Sequence, residues 1–508
     1  MHIKLIIIMN VKTQLISATL LAFGINSIVA SENPNIVLFL MDDMGYGDLS
    51  YTGAEGYVTP NIDKIASEGM FFSHFYAAAP ISTASRAGLL TGCYPIRVGM
   101  PGCLLAETTR GLNTEEEIIP ELLNKVGYHC GLIGKWHLGS VKKWMPLSQG
   151  FDEFFGLPYS NDIWPVYYDG VNISEHDDLP PSEKNKANWP QLPIYEGNAV
   201  IGNVRTLDDQ NNLTTLYTKR AIKFINDNHN KPFFLEISHN MPHVPLGVSS
   251  KFKGKSKIGM YGDVMMEIDW SVGEIVKALK KNKLENNTII IITSDNGPWL
   301  TFGNHSGSTR AFREGKQTTF EGGQRVPCIV YWPNHVPSGV VNPQLSSMID
   351  ILPTLCSITG APLPKKKIDG IDISSLWKGE TQVSPRKSFF YYFSENPLYE
   401  LMDLEAVRDG RFKLVFSHKY KSNEANGAVI GKNGFPGKSV KTNTDIALYD
   451  LRYDPGERMD VKYIYPEVVE RLDSIADSMR NNLGDGLKDI KAQECRSWDN
   501  FDRKIKLF

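Results

Sequence analysis

The sequence predicts an α/β protein, with a central, mostly parallel β-sheet between helices and a smaller C-terminal α+β domain. Three observations support this. Asn35 to Leu40 and Asn287 to Ser294 are continuous apolar runs of the kind required by strands buried on both faces. Each stops abruptly in polar residues, Asp42-Asp43 and Asp295-Asn296, and a third run, Phe233 to Ile237, leads into His239 and His243. Ligands gather at the carboxyl ends of strands in such sheets. At 508 residues the chain exceeds a single comfortable core. The expected division is an export signal at 1–30, a large domain at 31–380 and a small one at 381–508.

Composition narrows the possible functions. A net charge of −3 offers no electrostatic case for nucleic acid or an anionic membrane. Lys4 and Lys12 precede an apolar run from Leu15 to Ala30, interrupted by Gly24, Asn26 and Ser27 and ending in small residues. This is the pattern of a cleaved signal peptide, too short and impure for stable membrane insertion, and it implies export to the periplasm or beyond. Met1 and Met9 are both possible starts. The six cysteines are scattered, without the close pairs of a zinc site, and their pairing is left open.

In chain order, Asp42 and Asp43 end the first strand as oxygen ligands suited to a hard cation. Thr59-Pro60 starts a helix that runs toward Glu68-Gly69. Pro80 to Gly92 holds a helix opening at Ser82. Arg86 stands one turn on, so both side chains share a face, and the free N–H groups at the helix start suit a tetrahedral anion. Taken alone, the pattern equally fits an ordinary helix burying Leu89 and Leu90. Thr114 and Glu117 form a capping box for a helix that ends at Gly127. His129 to Gly139 is a strand emerging into Gly134-Lys135-Trp136-His137-Leu138-Gly139, where extended backbone points Lys135 and His137 the same way.

The stretch from Trp164 to Val204, rich in Pro, Asp, Asn and aromatics, predicts a long surface insertion that helps to shape specificity. A helix follows around Leu216 to Asn226, and another begins at Ile349 to Leu355. Pro362 to Lys367 leads out of the large domain. Ala406 to Val415 and Ala447 to Leu451 predict a small antiparallel sheet, followed by a final helix.

These motifs resemble the sulfatase family at several independent places between Asn35 and about Asp460. Ser82-Thr83-Ala84-Ser85-Arg86 with Leu89-Leu90-Thr91-Gly92 is similar to the first sulfatase signature, with Ala84 where Pro is commoner. The run around Lys135 and His137 matches the second signature, Pro242-His243-Val244-Pro245 a third motif, and Asp454-Pro455-Gly456-Glu457 the family's usual turn. The resemblance implies an alkaline-phosphatase-like fold and hydrolysis of a sulfate monoester. It implies conversion of Ser82 to formylglycine by an anaerobic-type maturing enzyme, the aldehyde hydrate attacking sulfur. It also implies Ca²⁺ held by Asp42, Asp43, Asp295 and Asn296, with an oxygen of modified Ser82 or the sulfate completing the shell.

Arg86, Lys135 and Lys316, the last from the Gly-rich segment Arg313 to Pro327, are then expected around the sulfate. His243 is the expected donor to the leaving alcohol, and His137 the base that regenerates the aldehyde. Ser160, in Gln149 to Asp162, is implied as a donor to sulfate. Asn161, Asp162 and His239 are expected to touch the substrate, a sulfated oligosaccharide or glycan, with Trp164 and Trp299 either stacking on sugar rings or packing in the core. A phosphomonoester or phosphonate hydrolase of the same superfamily and a silent glycan-binding homologue are the alternatives.

Overall fold

The apolar runs fold side by side as the central strands of an eleven-stranded mixed sheet. The computed structural model describes residues 33–106, 108–394 and 402–500, so the export signal expected at 1–30 lies outside the described residues. The principal strands are β1 (Asn35–Met41), β2 (Met70–Tyr76), β3 (His129–Lys135), β4 (Glu153–Leu157) and the hairpin β5 (Leu192–Glu196) and β6 (Ala199–Val204). β7 (Phe233–Ser238), β8 (Thr288–Ser294), β9 (Arg325–Tyr331) and β10 (Val340–Asn342) complete the path. Their order is β10-β2-β9-β8-β1-β7-β3-β4-β5-β6, with Ser346–Ser347 added beside β2.

The four strands β8, β1, β7 and β3 run parallel, and β1 and β8 are buried at every residue, as their unbroken apolar sequence requires. Register fixes what happens at their ends. Leu40 lies opposite both Thr293 and Ser238, and Met41 opposite Ser294. Asp42-Asp43, Asp295-Asn296 and the His239 to His243 segment therefore leave the sheet at one edge. The Asp295 amide donates to the Met41 carbonyl at 3.0 Å, and the Asp42 amide to the Met241 carbonyl at 3.3 Å.

Helices α1 (Pro60–Glu68) and α2 (Ser82–Thr91) begin where the sequence predicts. α2 is buried along its whole length and ends at Gly92, whose φ of +67° is the left-handed stop that a glycine takes without strain. The capping box expected at Thr114 is not formed. Helix α3 spans Ile119–Asn124, and Glu121 accepts the Ile118 amide at 2.9 Å, while Glu117 pairs with Lys125 at 2.5 Å. Pro120 is the reason: it is tolerated only in a first turn, so the helix cannot start as early as Thr114. The expected helix near Leu216 is α4 (Leu213–Asn228), which packs beside α5 (Met260–Lys281).

Part of the predicted insertion joins the sheet. Its β5–β6 hairpin pairs with β4 through Phe155 and Gly156. Helix α6 (Ile351–Thr359) follows β10. A four-stranded antiparallel sheet, β11 (Phe389–Phe393), β12 (Asp403–Arg408), β13 (Phe412–Val415) and β14 (Ala447–Asp450), then precedes the final helix α7 (Pro466–Leu483). One hydrophobic cluster runs from Leu38 and Phe72 through Leu352 to Leu404, Leu414 and Leu472, tying this small sheet to the large one. All six cysteines are unpaired, and no helix among the described residues is long and apolar enough to cross a membrane.

Candidate active site

Helix α2 points its N-terminus at the edge where β1 and β8 end. Ser82, its first residue, lies with Oγ 3.0 Å from Asp42 Oδ1 and 3.4 Å from Asn296 Oδ1. One turn on, the Arg86 guanidinium reaches back: Nε and Nη2 both contact Asp295 Oδ2, at 2.9 and 2.8 Å, and Nη1 donates to the Lys135 carbonyl and to Ser238 Oγ. The shared helix face expected for Ser82 and Arg86 is thus used, the two residues gripping acids from adjacent strands.

The remaining cations close the cluster. Lys135 Nζ, at the end of β3, donates to Asp42 Oδ2 at 2.5 Å and to Ser160 Oγ at 3.2 Å. Lys316 Nζ sits 2.7 Å from Asp43 Oδ1 and 2.9 Å from Oδ2, and Asn296 Nδ2 donates to Asp43 Oδ1 at 2.6 Å. His243 Nε2 lies 3.6 Å from Asp43 Oδ2, with Nδ1 against its neighbour's carbonyl at Val244. Asp42, Lys135 and Asp295 are completely buried. Burial alone would raise the Asp42 carboxyl, but Lys135 first, then His243, Arg86 and Lys316, hold it well below the usual carboxylate range. The Asp295 carboxyl shifts upward, because burial and the neighbouring Asp42 outweigh Arg86.

His137 departs from the extended backbone expected of it. β3 stops at Lys135, and His137 takes a left-handed φ of 65°, which turns its ring so that Nε2 donates to the Leu104 carbonyl at 2.9 Å. Nδ1 is then a buried acceptor without a hydrogen-bond partner. Burial, with Lys135 and Arg86 adding to it, pushes this imidazole well below its ordinary range, so it stays neutral and basic in form.

Of the expected substrate contacts, Ser160 joins the cluster. Asp162 is half-buried on its rim, and its carboxyl is held low because His243, Ser160, Lys186 and Lys316 outweigh burial. Asn161 and His239 are turned elsewhere. Asn161 Nδ2 donates to Gln210 Oε1 and to the Pro245 carbonyl, fixing the loop after His243. His239 is fully buried with Nε2 3.3 Å from Ser271 Oγ on α5, and burial lowers it to about 4. His239 follows the last residue of β7 and is held against α5, whereas Ser238 Oγ meets Arg86. Trp164, 1 % exposed, is core and offers no face to a sugar. Trp299 lies at the site, its ring 5.6 Å from that of His243 and 4.7 Å beneath Lys316 Nζ.

Three neighbours have no distinguishing sequence signal: Ser238, which holds Arg86; the Leu104 carbonyl, which orients His137; and Cys103, whose Sγ lies 3.6 Å from His137 Nε2. The fold, not a local motif, brings each of them to the site.

A divalent cation fits the donor set. Asp42, Asp43 and His243 offer ligand atoms within 4.8 Å of one another, Ser82 Oγ lies beside Asp42 Oδ1, and Asn296 Oδ1 lies beside that Oγ. Hard oxygens predominate and no thiolate is among them. A hydroxyl at a helix N-terminus, three cations and a neutral imidazole together define a hydrolase of tetrahedral-anion esters. Comparison with known proteins specifies the class. A family model described as Sulfatase matches residues 34–361, and models for the C-terminal regions of N-sulphoglucosamine sulphohydrolase and aryl-sulfatase match 312–427 and 384–501. The chain belongs to the sulfatase family and is a sulfuric ester hydrolase.

It is 35 % identical to the N-acetylgalactosamine-6-sulfatase of Mus musculus over 94 % of this chain and 92 % of that one. The crystal structure of the PsFucS1 sulfatase from Pseudoalteromonas sp. superposes with a TM-score of 0.76 at 30 % identity, covering 88 % of this chain and 90 % of the other. That of Ps i-CgsB in complex with k-i-k-neocarrahexaose superposes with a TM-score of 0.70 at 27 % identity, over 88 % and 93 %.

Proposed function

We propose that this sulfatase releases sulfate from a sulfated carbohydrate, using Ser82 in its formylglycine form as nucleophile and one Ca²⁺ at Asp42, Asp43, Asp295 and Asn296. The observation that supports it most directly is Ser82 Oγ at the start of α2, 3.0 Å from Asp42 Oδ1, with Arg86 one turn behind. A relative named N-acetylgalactosamine-6-sulfatase, and the similar Ps i-CgsB in complex with k-i-k-neocarrahexaose, support the carbohydrate assignment.

Cleavage of a sulfate monoester needs charge neutralised on the sulfuryl oxygens, a proton for the leaving alkoxide and a nucleophile that can be recovered. Lys135 and Lys316 hold the sulfuryl oxygens in this reading, giving up part of their contact with Asp42 and Asp43. His243 Nε2 carries the proton to the sugar oxygen, its ring oriented through Nδ1 by Val244. His137 Nδ1, neutral and unpartnered, accepts the proton whose loss allows sulfate to leave. Bound Ca²⁺ would supply a fixed positive charge at the reacting oxygens. Formylglycine, as its hydrate, would supply a second hydroxyl whose deprotonation re-forms the aldehyde as the carbon–oxygen bond to sulfate breaks, so that no water attacks sulfur. Asp42, Asp43 and Asp295 already balance Arg86, Lys135 and Lys316. A divalent cation together with a monoanionic ester and an ionised nucleophile preserves that balance.

Oxidation of an alcohol at position 82 calls for a radical-type anaerobic maturing enzyme as partner. The leader-like N-terminus supports export to the periplasm or beyond. The test is the mass of the tryptic peptide containing Ser82 from the native host. It should be lighter by two hydrogens, and active native protein with unmodified Ser82 overturns the nucleophile.

A further inference from the structure

From His243 outward, aromatic rings form an unbroken series. The Trp299 centroid is 5.6 Å from that of His243, Phe302 is 4.8 Å from Trp299, Tyr168 is 5.3 Å from Phe302, and Tyr167 is 5.1 Å from Tyr168. Phe435 closes the outer end, 5.9 Å from Tyr167 and 6.5 Å from Tyr168. Four ring-to-ring steps separate the proposed proton donor from the outer rings.

Three stretches far apart in sequence build this series: the insertion after Trp164, the turn after Asn296 and a loop of the C-terminal region. That loop is pinned over the turn, not left free. The Gly431 and Gly437 amides both donate to the Thr301 carbonyl, at 3.0 and 2.7 Å, and the Asn433 amide to Asn304 Oδ1 at 2.7 Å. A Cβ on Gly303 in the turn would fall 2.0 Å from the Gly431 carbonyl of the loop, so the close approach depends on glycine. Lys186 holds the insertion from the other side, its Nζ 5.5 Å over Tyr168, 5.6 Å over Trp189 and 2.7 Å from Glu183. Phe302 is fully buried, whereas Phe435 is 38 % exposed. The series is therefore anchored inside and open at its rim.

We infer that Tyr167 and Phe435 form a second saccharide subsite, on which a pyranose unit beyond the sulfated one stacks its C–H face. The inference rests on the carbohydrate reading above and adds that recognition extends past the sulfated unit. Flat rings held rigid at low entropic cost are what such stacking uses. The subsite makes the enzyme prefer an oligosaccharide over the corresponding monosaccharide.

The test compares kcat/KM for sulfate release from 4-nitrophenyl sulfate, sulfated galactose and N-acetylgalactosamine monosaccharides, and di- to hexasaccharides of chondroitin 6-sulfate and carrageenan. The expected result is a gain of about tenfold from a monosaccharide to its best oligosaccharide, equivalent to about 1.4 kcal/mol. Tyr167→Ala and Phe435→Ala should remove that gain and leave 4-nitrophenyl sulfate turnover and the melting temperature unchanged. Tyr167→Phe should keep it. Equal rates on monosaccharide and oligosaccharide, variants that retain the gain, or equal losses on the aryl and sugar substrates overturn the subsite. Turnover of monosaccharides without a chain-length gain refutes the subsite alone, whereas turnover confined to 4-nitrophenyl sulfate refutes the carbohydrate reading and the subsite with it.

Discussion

The Nζ of Lys316 lies 4.7 Å over the centroid of the Trp299 ring while bridging both oxygens of Asp43. The same ring lies 5.6 Å from His243, so one indole contacts both the lysine proposed to hold sulfate and the proposed proton donor. A desolvated cation–π contact contributes about 2 kcal/mol, so Trp299→Leu should lower kcat/KM for a small sulfate ester about thirtyfold. Trp299→Phe should recover most of it. Steady-state kinetics on 4-nitrophenyl sulfate checks this, and an unchanged Trp299→Leu enzyme would remove Trp299 from the site's machinery.

Arg86 reaches Asp295 through Nε and Nη2 in a completely buried pair. Arg86→Lys cannot reproduce that fork and should reduce kcat by orders of magnitude without abolishing folding. Asp295→Ala, which takes the 2.8 Å carboxylate from Arg86 and leaves it only Asp42 at 3.6 Å, should abolish activity and cost about 3–5 kcal/mol of stability. Denaturant titration beside an activity assay separates the two effects.

Chelation should silence the enzyme, and Ca²⁺ should restore it and raise its melting temperature by binding the folded state. Asp295→Ala should lose the thermal response. Stoichiometric zinc in active protein, or full activity with Mg²⁺ alone, would contradict the Ca²⁺ assignment.

Away from the site, Glu321 joins the two sheets, with Lys413 Nζ 3.3 Å from Oε1, Tyr76 donating to Oε2 at 2.6 Å, and Arg325 and Arg408 close by. Burial would raise its carboxyl, but Lys413, Arg408 and Arg325 hold it at about 2. The folded value lies below the unfolded one, so the unfolded chain binds more protons in this window. The stabilisation is complete above the ordinary glutamate range and is lost as pH falls toward about 2. Glu321→Gln should weaken that acid dependence and cost about 3–5 kcal/mol near neutrality, because it leaves Lys413 and Arg408 with too few partners. Chemical denaturation between neutral and acid pH measures both.

The sequence by itself determined the strands and the chemistry at their ends. The apolar runs at Ile36 to Met41 and Ile289 to Ile292 can only be buried on both faces, and the polar residues that stop them had to emerge at the sheet edge. The spacing of Ser82 and Arg86 is a property of the helix, and their shared face was legible for the same reason. Tertiary structure decided what depends on neighbours remote in sequence. Pro120 moved a helix start, the left-handed turn at His137 replaced an extended one, and packing against Ser271 of α5 turned His239 away from Arg86. The Leu104 carbonyl that orients His137, the indole under Lys316 and the ring series ending at Phe435 join segments up to hundreds of residues apart. No local pattern encodes them, because a contact between two rings or a carbonyl and an imidazole is fixed by packing and register, not by spacing along the chain.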